Sequence, residues 1–103
     1  MTVATKISAA RVLAELHAHR DGLRRYGVRR LGLFGSAARG RARPDSDLDF
    51  VVDLERETFD DYMGLKFYLE DLFHKDVDLV IIDSIKPALR AGILSEVRYA
   101  QGL

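Results

Sequence analysis

Apolar residues recur at helical spacing between Ile7 and Tyr26, where Val12, Leu13, Leu16, Leu23 and Tyr26 share one side and Arg and Glu hold the other. The spacing predicts a first helix that stops at Gly27. Val28 to Phe34 is short and rich in strand formers, which predicts a first strand ending at Gly35. Ser36 to Arg39 suits a single helical turn closed by Gly40, and Pro44 bars a long continuation. From Asp47 to Leu54 the pattern alternates, as a strand does, with Asp47, Asp49, Val51 and Asp53 on one face and Leu48, Phe50, Val52 and Leu54 on the other. Thr58 and Asp61 resemble a capping box ahead of a second long helix, whose stripe of Phe59, Tyr62, Met63, Leu65, Leu69, Leu72 and Phe73 reads as core. Val77 to Ile82 predicts a third strand, and Leu89, Ile93, Leu94 and Val97 after Pro87 predict a terminal helix reaching Tyr99 or Gly102. Helices and strands alternate, so the expected class is α/β or α+β, a small mixed sheet flanked by helices.

One hundred and three residues, 48% hydrophobic, allow one domain over 1–103 with a single modest core. A chain this long buries roughly two-thirds of its unfolded surface, so a large substrate or second lobe is expected to come from a partner. With no Cys, a disulfide framework, a Cys-based zinc site and a thiol nucleophile are excluded. No stretch is long and apolar enough to span a bilayer and the first residues lack a signal-peptide layout, so the expectation is a cytoplasmic protein without membrane attachment. Net charge is zero but unevenly spread. Met1 to Arg43 holds ten Lys and Arg against two Asp and Glu, and Pro44 to Leu103 holds six against fourteen. General coating of nucleic acid is not expected, while the basic half suits a triphosphate and the acidic half metal cations.

The informative chemistry is Gly35-Ser36, ten residues, then Asp47-Leu48-Asp49. A Gly after a strand allows close backbone approach to a ligand, and a Ser opening a turn offers its hydroxyl to an anion, phosphate above all. Two Asp residues spaced by one along a strand share a face and suit a hard cation such as Mg²⁺. Asp78 lies within an apolar strand and, if that strand neighbours the Asp47–Leu54 strand, completes a carboxylate triad of the kind used for in-line nucleotidyl displacement with two metals. The bland readings are a solvated strand face for Asp47 and Asp49, an edge charge or ion pair for Asp78, a plain helix cap for Ser36 and solvated loop arginines at Arg39, Arg41 and Arg43. Of these arginines, Arg39 is the first candidate for phosphate binding because it lies nearest to Ser36. His17, His19 and His74 do not share a face and read as structural or solvated.

Leu33-Phe34-Gly35-Ser36-Ala37-Ala38-Arg39-Gly40 with Ser46-Asp47-Leu48-Asp49-Phe50-Val51-Val52 closely resembles the signature of polymerase-beta-like nucleotidyltransferases, and the short chain is similar to their minimal members. The resemblance implies Mg²⁺-dependent transfer of AMP from ATP with release of pyrophosphate. It further implies an antitoxin whose acceptor is a tyrosine of a HEPN-type toxin. Gly35 and Ser36 would hold the triphosphate, Asp47 and Asp49 both metals, and Asp78 the catalytic metal while favouring deprotonation of the attacking hydroxyl. Two other functions stay open: an antitoxin acting by occlusion alone, and a small-molecule transferase lacking its usual added helical domain.

Overall fold

The computed structural model describes residues 8–40 and 46–103, so Ile7, Arg41 and Arg43 lie outside the described residues. Helix α1 (Ala9–Ala18) opens on Ser8, whose hydroxyl accepts from the Arg11 N–H at 3.1 Å. The first helix is broken: His19 leaves helical geometry and α2 (Arg20–Arg24) follows as a separate piece. The His19 ring nitrogen meets the Tyr68 hydroxyl at 3.1 Å, and Leu16 on one side of the break and Leu23 on the other are both fully buried.

Strands β1 (Val28–Phe34), β2 (Leu48–Leu54) and β3 (Val77–Ile81) fall where the sequence predicts them, with Asp47 just before β2 and Ile82 in a 3₁₀ turn after β3. The sheet order is β3-β2-β1-β4, antiparallel between β1 and β2 and parallel between β2 and β3. Its fourth strand corrects the predicted terminal helix. Helix α5 (Pro87–Glu96) stops early, and Arg98–Tyr99 forms β4 against Gly32 and Leu33 of β1.

Between β2 and β3 runs α4 (Phe59–Phe73), capped by the Thr58 hydroxyl accepting from the Asp61 N–H. Leu65 and Leu69 are buried, and with Leu48, Phe50, Val52 and Leu54 they join the main core under α1 and α4. Phe59 is 76% exposed, so the apolar stripe of α4 is core only from its second turn onward. The Glu70 carboxylate, drawn below its usual proton affinity by Lys66 and the Val77 N–H, accepts from that N–H at 3.1 Å and ties α4 to the start of β3. The opposite face of the sheet is thinly covered. There Val51, Ile82 and Ile85 form a small cluster under Ile93, Leu94 and Val97 of α5 and its exit. Among the described residues no helix is long and apolar enough to cross a membrane.

Candidate active site

The two faces of β2 divide labour. Even-numbered residues go to the main core, which leaves Asp49 on the thinly covered face, half-buried. Parallel pairing sets Asp78 directly beside it, since Asp49 is the register partner of Asp78 and Phe50 that of Leu79. Asp47, two residues before Asp49, is exposed, as is Asp78. Burial, then the charge of Asp78, then that of Asp47, push the Asp49 carboxyl above its usual range, and the Arg39 guanidinium pulls it partly back. Asp78 and Asp47 therefore both lie close enough to Asp49 to repel its charge. Among the described residues, however, no group of three or more His, Cys, Asp or Glu side chains is placed to hold a metal ion. Mg²⁺ in nucleotide sites takes one or two carboxylates, with water and phosphate oxygens supplying the rest, and Asp49 and Asp78 stand side by side as such a pair.

Antiparallel pairing brings the other half of the motif to the same place, because Phe34 is the register partner of Asp49 and the chain turns immediately after it. Gly35 adopts φ +74, and a Cβ there would collide with Asp49 Oδ2 and stand 3.1 Å from its Cγ. Glycine is thus required twice, for the left-handed backbone and for contact with the carboxylate. The turn α3 (Gly35–Ala38) has Phe34 as its N-cap with no side-chain cap bond, so Ser36 is inside the turn and is not its cap. Its side chain is half-buried. Gly40, at φ +72, ends the turn as its sequence position predicts.

Arg39 lies just beyond α3, near enough to act on Asp49 and paired with Glu96 at 3.1 Å. Glu96 is a neighbour that sequence reasoning missed, because 57 residues separate the pair and the predicted helix ran past it. The histidines stand apart from the acids: His17 Nδ1 meets the Gln101 carbonyl at 2.9 Å, His19 meets Tyr68, and His74 closes α4 in the left-handed region.

The family model for the nucleotidyltransferase domain matches residues 16–100, which takes in the whole arrangement. This chain belongs to the nucleotidyltransferase domain family. Nucleotidyl transfer is accordingly its reaction class. It is 44% identical over 86 residues to the protein adenylyltransferase MntA of Thermococcus cleftensis, covering 82% of this chain and 87% of that protein. A solved structure described as a candidate minimal nucleotidyltransferase superposes with a TM-score of 0.70 at 41% identity, over 84% of this chain and 93% of the other. A tri-AMPylated HEPN toxin of Shewanella oneidensis in complex with an MNT antitoxin matches with a TM-score of 0.62 at 20% identity, covering 88% of this chain and 73% of that one. At that identity the likeness establishes the fold alone.

Proposed function

We propose that this nucleotidyltransferase-family chain is a cytoplasmic antitoxin that moves AMP from ATP to a tyrosine hydroxyl of a HEPN-type toxin. The observation that carries the reading is the row formed by Asp78 and Asp49 on adjoining strands and Gly35 in the turn that follows β1, on the face that the main core leaves free. The similarity to a protein adenylyltransferase supports the transferred group, and the fold shared with a toxin–antitoxin complex supports the partner.

Asp47, Asp49 and Asp78 would hold Mg²⁺, and the bound cation would neutralise charge on the triphosphate and the departing pyrophosphate. The rise in Asp49 proton affinity, from burial first and then from its neighbours' charge, fits such a cation, since a positive ion relieves the repulsive part. The bare Gly35 backbone and the Ser36 hydroxyl take the phosphates, and Arg39 adds a charge-assisted donor from the far side. The acceptor oxygen attacks the α-phosphorus in line with the leaving group. A new ester P–O bond forms as the bond to the β-phosphate oxygen breaks, and the Asp78 carboxylate, which faces solvent, takes the acceptor's proton.

Incubation with ATP, Mg²⁺ and the protein encoded beside it, followed by peptide mass spectrometry, should find AMP on a tyrosine of that protein. Asp47→Ala and Asp49→Ala should each abolish the adduct. A wild-type reaction with no adduct would overturn transfer to this partner, and toxin neutralisation unaffected by either variant would favour occlusion as the mechanism.

A further inference from the structure

Arg39 stands between rival anions. Its Nη1 lies 3.2 and 3.1 Å from the two carboxylate oxygens of Glu96, while its charge also acts on Asp49. Glu96 is the last residue of α5, and Arg39 directly follows α3. The pair therefore links two elements that reach the site from different parts of the chain. Helix α5 has no buried residue; Ile93 and Leu94 pack on Val51, Ile82 and Ile85, and Arg90 donates to the Ile82 carbonyl at 3.1 Å. Both partners are about half exposed, at 47% and 44%, and an ion pair that wet adds little to folding. What it does set is the place of the guanidinium.

Released from Glu96, Arg39 would have the acidic row as its nearest opposite charge. A guanidinium engages carboxylate oxygens in a fork, and one seated there would occupy the oxygens that a divalent cation needs. Arg39 also lines a cleft of about 400 Å³ with Ser8, Gly40 and Arg98, so it keeps an open side from which an anion can approach. We propose that Glu96 is a positioning residue that holds Arg39 beside the acidic row without letting it pair there, leaving Asp47 and Asp49 free for the cation and Arg39 free for phosphate.

The inference rests on reading the acidic row as the nucleotidyl-transfer site, and Mn²⁺ binding tests the two separately. Binding of Mn²⁺ alone to the full chain, without nucleotide or acceptor, is followed by electron paramagnetic resonance for wild type, Glu96→Gln, Glu96→Asp, Asp49→Ala and the double variant Glu96→Gln/Arg39→Ala, with melting curves to verify folding. Glu96→Gln should weaken Mn²⁺ binding about three-fold, the size of effect a half-exposed ion pair can exert. Glu96→Asp should stay close to wild type, and adding Arg39→Ala should restore or exceed wild-type affinity. Rescue by deleting a positive charge is a result that mere loosening of α5 would not give. Unchanged binding in Glu96→Gln, or a loss that Arg39→Ala fails to reverse, overturns the role of Glu96 while wild-type binding lost in Asp49→Ala leaves the site intact. Wild type that takes up no Mn²⁺ overturns both.

Discussion

Asp49 carries the conflict between stability and chemistry. It is partly buried, flanked across the strand by Asp78 and along the chain by Asp47, and its proton is held more tightly in the fold than in the unfolded chain. A raised value means that acid favours the folded form. The contribution is fully present below the ordinary carboxylate range and is lost as pH climbs through the raised Asp49 value. Asp49→Asn removes the charge and keeps the shape. Its melting temperature at neutral pH should exceed wild type by about 1–6 °C, from the usual cost of like charges on adjoining strands. Thermal scans across pH should show that advantage shrinking toward zero in acid, and activity should be lost throughout. A variant less stable than wild type at neutral pH would contradict the proposed repulsion. The positions of Gly35 and Ser36 just after one strand and of Asp49 on the polar face of the next were legible in the sequence, from a short run of strand formers and from alternation. The contact of Gly35 with Asp49 was not, since it depends on antiparallel register between strands separated by a loop.

Among the elements, the strands were read well because β2 alternates and β1 and β3 are short apolar runs bounded by Gly or charge. The C-terminal end was not. Leu89, Ile93, Leu94 and Val97 suggest a helix continuing to Tyr99, yet the chain becomes extended at Val97 and pairs with β1. A signal existed in Gly32. A glycine within a strand marks close approach by another backbone, and a Cβ there would stand 3.0 Å from Tyr99 and 3.3 Å from the Arg98 carbonyl. Helix α4 ends on His74 at φ 53, a left-handed position where a side chain is strained. His74→Gly should relieve that strain by about 1–2 kcal/mol, against about 0.4–1 kcal/mol lost to a freer unfolded chain. The expected net is a melting temperature a few degrees higher, and a clear decrease by calorimetry would contradict it.

For the whole molecule, the split into a basic first part and an acidic second part suggested surfaces of opposite sign. Folding mixes them. Arg29 meets Asp53 at 3.0 Å, Arg30 lies 3.7 Å from the same carboxylate, and Arg39 meets Glu96, so charges far apart in sequence neutralise one another across the sheet and at its edge. Among the described residues, Asp47, Asp49 and Asp78 gather acidic charge beside the Gly35 turn, on the face opposite the main core. Asp47 and Asp78 are exposed, so the row opens to solvent. The most direct test of the account runs parallel reactions with ATP labelled at the α- or the γ-phosphorus, in the presence of Mg²⁺ and the partner protein. The account predicts that the α-label becomes covalently attached to the partner and the γ-label leaves as pyrophosphate. A γ-label on the partner, or an α-label that never leaves the nucleotide pool, would contradict it.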